Sequence, residues 1–136
     1  MPVLLMVLLL AAWLPAQAAT PAEERLIRDL QRIARDSNQG TPRAISPDIT
    51  DQGFTVDGRT LINHLSVRPA HAEQMRRNPA AVRRQLATSV CTNANFRLLL
   101  SHGAVLRYQF SEDGSNWPVA SESFMAEDCA DRQEGR

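Results

Sequence analysis

The chain has 136 residues, with 15 basic and 15 acidic side chains and a formal net charge of zero. This length accommodates one domain and leaves no room for a cofactor domain beside a substrate domain. The neutral charge argues against nucleic acid as a partner, because a phosphate-binding protein needs surplus cations to displace condensed counterions.

The first eighteen residues have the pattern of a signal peptide. Residues 1–18 are almost entirely apolar, are interrupted by Pro15, and end in AQA, a small-x-small pattern typical of signal peptidase sites. The run is short for a membrane span. We therefore expect cleavage before Ala19 and an exported protein, periplasmic or extracellular. An uncleaved anchor is the alternative, because no Lys or Arg precedes the apolar run; no cysteine follows it for lipid attachment.

The next segment is predicted to be an amphipathic helix. Thr20 suits the N-cap, Pro21 the first helical position and Glu23 the capping box. An apolar stripe follows at helical spacing, formed by Leu26, Ile27, Leu30, Ile33 and Ala34. We expect this stripe to pack on the domain's own sheet, with binding of a partner as the alternative.

Two hairpins are predicted on either side of a helical region. Residues 41–47 contain two prolines and indicate a loop, and Asp57-Gly58 then predicts a tight turn between strands at 49–56 and 59–68. His64 should face solvent, on the opposite side from Leu65.

The helical region begins after Pro69 and is divided by Asn78-Pro79, which predicts a second helix over 79–90. A short helix capped at Thr92-Asn93 and stopped by Gly103 follows. Strands at 105–110 and 117–125 form the second hairpin.

This order, α-ββ-αα-ββ, predicts a single α+β domain over residues 19–129. We expect a four-stranded, mainly antiparallel sheet of two hairpins, covered on one face by three to four helices. Residues 130–136 are polar after Ala130 and are predicted to be a disordered tail.

Cys91 and Cys129 are predicted to form one disulfide, because an exported chain enters an oxidising compartment and an even cysteine count permits complete pairing. Closing the loop between them is worth roughly 3 to 4 kcal/mol in the chain-entropy model. A redox-active or nucleophilic thiol pair is the alternative, although it lacks C-x-x-C spacing.

No motif for catalysis or cofactor binding is present. His64, His71 and His102 are too widely spaced for a recognisable metal site, and the G-x-S-x-G nucleophile motif is absent. We expect no cofactor, no metal and no enzymatic activity. A small envelope hydrolase, or an inhibitor of an envelope enzyme, is the alternative.

One cluster of charge is a candidate binding surface. Its members are Arg76, Arg77, Arg83, Arg84 and Arg97. The first four repeat at a spacing of seven, so nearly collinear helices on either side of Pro79 would align them as a basic ridge. Arginine forks bind planar oxyanions, which makes an acidic protein, a lipopolysaccharide phosphate or an anionic headgroup a suitable partner. Pairing with neighbouring carboxylates on a solvated face is the alternative.

The C-terminal half carries a family resemblance. The residues concerned are Cys91-Thr92-Asn93, Phe96-Arg97, Leu99-Leu100, Gly103-Ala104, Arg107-Tyr108-Gln109-Phe110, Asp113-Gly114, Val119-Ala120 and Asp128-Cys129, with Asp57-Gly58-Arg59-Thr60-Leu61 upstream. Over about residues 45 to 129 the chain resembles the quorum-sensing-regulated virulence factor family of small exported proteobacterial proteins. The shared motifs belong to the scaffold, and of possible functional residues only the two cysteines are carried over.

The architecture is also similar to that of the AspS-type pilotins, small α+β proteins with a disulfide that bind the C-terminal segment of an outer-membrane secretin. The chain differs from lipidated pilotins in lacking an acylation cysteine. These resemblances imply an exported, virulence-associated interaction protein whose partner is a protein or peptide of the envelope. The second expectation is a pilotin-like accessory factor of a secretion system.

Overall fold

The elements of the computed structural model, which describes residues 18–130, follow the order helix, three strands, three helices, two strands and a final helical turn. The helices are α1 Pro21–Ser37, α2 Pro69–Arg77, α3 Pro79–Thr92, α4 Ala94–Ser101 and α5 Glu127–Ala130. The strands are β1 Arg43–Ala44, β2 Ile49–Asp57, β3 Thr60–Val67, β4 Val105–Glu112 and β5 Pro118–Phe124.

Helix α1 begins where its capping box predicts. The Thr20 side chain accepts a hydrogen bond from the Glu23 N–H at 3.2 Å, which satisfies one of the free donors of the first turn. Its apolar stripe packs on the domain's own sheet as expected, with Leu26, Leu30 and Ala34 buried. The predicted signal peptide and tail lie outside the described residues except at their inner ends: Ala18 is irregular, and Ala130 ends α5.

The sheet is mixed and has the strand order β1-β2-β3-β4-β5. Both predicted hairpins are present, since β2 pairs antiparallel with β3 and β4 with β5. The middle pair, β3 and β4, is parallel, with Leu65 opposite Phe110. The connection through α2, α3 and α4 makes this possible, because it returns the chain to the end of the sheet where β3 started.

Residues 18–130 contain five strands and five helices, so the predictions of four strands, of three to four helices and of the order α-ββ-αα-ββ were wrong. The additional strand β1 lies in the segment predicted as a loop, where Arg43 and Ala44 pair with Asp51 and Thr50. The turn that folds β1 back is closed by the Ile45 N–H, which donates to the Ile49 carbonyl at 3.0 Å. The segment contains two prolines and only two paired residues, so it has no alternation of apolar and polar residues that would predict a strand. Its strand conformation depends on the hydrogen bonds to β2.

The helices cover one face of the sheet, and the larger hydrophobic core lies between the helices and this face. Phe124, Leu30, Val67 and Val90 are the largest fully buried side chains. A smaller cluster under α2 contains Leu65, Val67, Ala72, Met75 and Phe110. On β3 and β4 the alternate residues point to the opposite, open face. His64 lies there as predicted, half-buried, with its Nε2 atom 2.6 Å from Thr55 Oγ1.

The C-terminal end of α1 is joined to β2 by the side chain of Asn38, which makes the hydrogen bonds that a neighbouring strand would make. Asn38 Nδ2 donates to the Phe54 carbonyl at 2.9 Å, and the Phe54 N–H donates to Asn38 Oδ1 at 2.6 Å. Gly53 precedes Phe54 at a bulge and has φ +108°. Its N–H donates to Asp51 Oδ1 at 2.9 Å, so the buried Asp51 carboxylate fixes the bulge.

We expect Gly53→Ala to lower the free energy of unfolding by roughly 2 to 3 kcal/mol, because a positive φ disfavours any Cβ. The added Cβ would also lie 2.8 Å from Asn38 Oδ1. Gly40→Ala is the matched control, since Gly40 has φ +82° but open space around its Cβ position. Urea unfolding of both variants measures the difference. Equal losses for the two variants would contradict a role for the Asn38 contact.

Candidate functional site

The structure places Arg76 and Arg77 beside carboxylates of their own domain. Arg76 Nη1 donates to Glu112 Oε2 at 2.9 Å, and its Nη2 donates to the Pro118 carbonyl at 3.1 Å. Arg77 Nη2 donates to Glu73 Oε1 at 2.6 Å, one helical turn earlier on α2. These two arginines therefore have the paired arrangement that was the alternative to a binding ridge.

Arg83 joins three elements. Its Nη1 donates to Glu122 Oε2 at 2.8 Å and to the Ser123 carbonyl at 3.2 Å, and its Nη2 donates to Asp128 Oδ1 at 3.2 Å. The guanidinium carbon also lies 4.6 Å from the centroid of the Phe124 ring, which adds a cation–π contact. Arg83 thus links α3 to β5 and α5.

Arg76 and Arg83 together protect an outer strand of the sheet. Each donates to a backbone carbonyl of β5, at Pro118 and at Ser123. An outer strand with free backbone groups is a template for pairing with another chain, and charged side chains laid against it reduce that risk. The sequence showed the spacing of the arginines but not these acceptors, which lie 39 to 45 residues away for Arg83.

Arg84 differs from these three, because its side chain makes no hydrogen bond or ion pair within residues 18–130. It lies on the wall of a groove of about 350 Å³ between α3, β5 and α5. The other lining residues are Ala80, Arg83, Ala87, Phe124 and Asp128. Two alanines give the groove an apolar part, and the Arg84 guanidinium lies at its side without a carboxylate partner.

Arg97 lies in a different groove, on the other flank of α5. This second groove has a volume of about 210 Å³ and is lined by Arg97, Leu100, Ser101, Ala126, Cys129 and Ala130. Arg97 also has no side-chain partner in the described part of the chain. The five arginines therefore form three paired residues and two unpaired ones, with each unpaired residue in its own groove.

A disulfide holds α5 between the two grooves. Cys91 near the end of α3 is bonded to Cys129 of α5, with their Cα atoms 5.4 Å apart, which confirms the predicted pairing. Two exposed apolar residues lie nearby in the chain, Leu98 on α4 (57% exposed) and Met125 just before α5 (43% exposed). We call Arg84, Arg97, Leu98 and Met125 the α5 flank. Methionine and arginine are enriched in protein interfaces, which makes these residues candidates for contact with a partner.

The three histidines are not brought together. His71 Nδ1 lies 3.9 Å from Asp48 Oδ2, His64 lies on the open face of the sheet, and His102 follows the end of α4. Among residues 18–130 no group of three or more His, Cys, Asp or Glu side chains is placed to hold a metal ion. Burial raises the pKa of the Tyr108 phenol above its ordinary value of 10.0, so this hydroxyl stays protonated at neutral pH.

None of the helices found within residues 18–130 is both long enough and apolar enough to span a membrane. The fold is that of a small, disulfide-linked α+β domain with two grooves beside α5. A family model described as "Putative quorum-sensing-regulated virulence factor" matches residues 19–130, and the chain belongs to this family. The resemblance found in the sequence is thereby confirmed.

Three solved structures share the fold. A Pseudomonas aeruginosa protein described as a "putative secreted protein" is 53% identical, with a TM-score of 0.79 over 82% of this chain and 99% of that one. The type 2 secretion pilotin EpsS from Vibrio vulnificus has 14% identity and a TM-score of 0.68, covering 79% of this chain and 94% of its own. The pilotin AspS from Vibrio cholerae has 18% identity and a TM-score of 0.64, covering 79% and 95%. Comparison with curated proteins gave no significant match.

Proposed function

We propose that the protein is a small exported interaction protein without catalytic activity, which binds a protein or peptide of the cell envelope through the α5 flank. The pairing state of the arginines carries this proposal. Arg76, Arg77 and Arg83 are committed to carboxylates, whereas Arg84 and Arg97 are unpaired beside two grooves. Export is supported by the apolar N-terminal run and by the secreted relative.

The rigidity of α5 favours binding. Association costs free energy for ordering loops and side chains, and a surface that is already fixed avoids part of that cost. The α5 helix is held by the Cys91–Cys129 disulfide and by the ion pair of Asp128 with Arg83. Asp128 Oδ2 also accepts the Met125 N–H at 2.7 Å, which fixes the segment that presents Met125. A partner segment with acidic side chains and one apolar side chain would suit both the unpaired arginines and the exposed Met125.

Charge reversal tests this surface. The tagged protein is cross-linked in envelope extract, the captured protein is identified by mass spectrometry, and its affinity is then measured with purified components. We expect Arg84→Glu or Arg97→Glu to weaken binding at least tenfold, since a desolvated charge contact is exchanged for repulsion. Arg28→Glu on the exposed surface of α1 makes the same charge change away from the flank and should leave the affinity unchanged. Equal affinities for all three variants would contradict the proposed surface.

A pilotin-like role is the second candidate function, and it depends on the TM-scores of 0.68 and 0.64 with two pilotins. In that role the partner is the C-terminal segment of a secretin. A pull-down with the purified secretin segment tests it directly. Recovery of the segment supports the pilotin-like role, whereas no recovery at saturating bait contradicts it while leaving other protein partners for the first proposal.

A further inference from the structure

The face of the sheet that the helices leave open carries the side chain of Arg107, on β4. Its Nε atom donates to Ser123 Oγ on β5 at 3.0 Å, and the two residues lie directly opposite each other in the strand register. Arg107 makes no ion pair with a carboxylate of residues 18–130. Arg76 and Arg83, which lie against the other face of the sheet, are both paired with carboxylates. Arg107 is therefore a cation of the sheet without a counter-charge.

The surroundings of Arg107 on this face are uncharged. Ile62 lies opposite it on β3, Ser123 lies opposite it on β5, and Gln109 is the next residue of β4 on the same face. Arg107 is also half-buried, so the protein replaces part of the water around its charge. The attraction of this cation for an anion is therefore weakened less by solvent than at a fully exposed site, and no neighbouring carboxylate cancels it.

The contact with Ser123 orients the guanidinium. It uses the Nε–H group and leaves the N–H groups of both Nη atoms without a partner in the described part of the chain. A guanidinium is planar, and its N–H groups bind a carboxylate through two parallel hydrogen bonds in that plane. An arginine held at Nε by a neutral hydroxyl thus keeps a fork that matches a planar oxyanion.

The next residue pair along the two strands offers neutral hydrogen-bonding groups. Gln109 and Ser121 lie opposite each other, two residues from Arg107 and Ser123, so they share the open face and are roughly 7 Å further along the strands. Their side chains have no partner within residues 18–130. The Gln109 carboxamide carries a donor and an acceptor, which are the groups that pair with a peptide amide.

A cavity of about 500 Å³ extends from this pair along the open face. Its lining includes Gln109 and Ser121 at the end nearest Arg107, whereas Arg107 itself lies one residue pair beyond that end. The acidic residue of the lining, Asp113, follows the far end of β4. Pockets for small ligands have volumes of about 300 to 1,000 Å³. The cavity can therefore hold the body of a ligand whose anionic end lies at Arg107.

We propose that the open face binds the carboxyl terminus of a short peptide, with the terminal carboxylate at Arg107 and the preceding amide group at Gln109 and Ser121. A peptide terminus places an amide one residue away from a carboxylate, which matches a cation next to a pair of neutral donors and acceptors. The inference is independent of the proposed function, because it uses none of the α5 flank.

NMR titration of the isotope-labelled full protein with N-acetyl-trialanine and with its C-terminal amide tests the proposal. The two probes differ only in the group that would meet Arg107. We expect the acid to bind at least tenfold more tightly than the amide, the effect of a charge-assisted pair of hydrogen bonds. Inorganic phosphate is the third probe and should bind more weakly than the acid, since it has no amide to contact Gln109.

Two substitutions separate the contributions. Arg107→Gln keeps a hydrogen-bonding side chain but removes the charge, so acid and amide should bind to it with equal affinity. Gln109→Leu should weaken both peptides by a similar factor, because both contain the amide that Gln109 would contact. Arg35→Gln is the matched control, since Arg35 is exposed on α1 in the helical layer and the change is the same as at Arg107. It should keep the full preference for the acid.

The comparison of the two peptides on the parent protein does not depend on any variant. Equal affinities for acid and amide would overturn the proposal, as would the absence of binding by both. A preference for the acid that persists in Arg107→Gln would overturn the role of Arg107. Phosphate binding tighter than that of the acid would also overturn the proposal, by showing that the site selects an isolated anion. None of these outcomes bears on the α5 flank.

Discussion

Replacing Cys91 and Cys129 together by alanine is expected to lower the free energy of unfolding by roughly 3 to 4 kcal/mol, a large part of the 5 to 15 kcal/mol typical of a whole domain. The bond closes a loop between residues 38 positions apart and therefore restricts the unfolded chain strongly. It also holds α5, the last described element, against α3. Urea unfolding of the parent and double variant measures the loss.

Two further measurements separate the effect of the disulfide from the effect of losing two buried side chains. Reducing the parent protein with a thiol should produce nearly the same loss as the double substitution, since both remove the cross-link. In the reduced protein and in the double variant, amide hydrogen exchange should become faster in α5 than it is in the oxidised parent. Exchange in α1, which carries no cross-link, should change less. If the double substitution and the reduction each lowered the free energy of unfolding by less than about 1 kcal/mol, the stabilising role of the bond would be contradicted.

Phe124→Ala is expected to destabilise the fold by about 3 to 5 kcal/mol, the usual range for truncating a fully buried phenylalanine. Phe124 has no exposed surface, packs edge-on against Tyr108 with ring centroids 6.3 Å apart, and lies beneath the Arg83 guanidinium. Its loss would leave a void at the junction of β5, α3 and α5. Arg83 would also lose its cation–π contact, so the network on this side would weaken together with the core.

Trp117→Ala is the control for this prediction. It removes a larger aromatic side chain, but one that is 70% exposed, so its cost should stay within about 0.5 kcal/mol. Thermal unfolding followed by circular dichroism measures both variants. Similar shifts of Tm for the two would contradict the assignment of Phe124 to the core.

Local patterns determined much of the fold. The capping box at Thr20 predicted the start of α1, Asp57-Gly58 predicted the first hairpin, and Asn78-Pro79 predicted the boundary between α2 and α3, all of which the structure contains. These features depend on residues within about four positions of one another, so the sequence alone is sufficient to indicate them. The disulfide was also predictable, because two cysteines in an exported chain leave a single pairing.

The arginines show where local pattern is insufficient. Their spacing indicated a candidate basic ridge, with pairing to neighbouring carboxylates as the alternative. In the structure Arg83 contacts carboxylates on β5 and α5, and Arg76 contacts one on β4. Those contacts exist only after the helices have crossed over the sheet. The proposed binding surface depends on which arginines are paired with carboxylates and which are unpaired. The sequence therefore did not show this distinction.

The sequence by itself determined the first helix, the two hairpins, the boundary between α2 and α3, the disulfide and the family of this protein. Tertiary structure decided that β3 and β4 run parallel, that Arg43 and Ala44 add an edge strand, and that Arg83 meets carboxylates of β5 and α5. The physical reason is the range of the interactions. Caps and turns are satisfied by near neighbours, whereas strand order, register and side-chain pairing depend on residues that only the folded chain brings together.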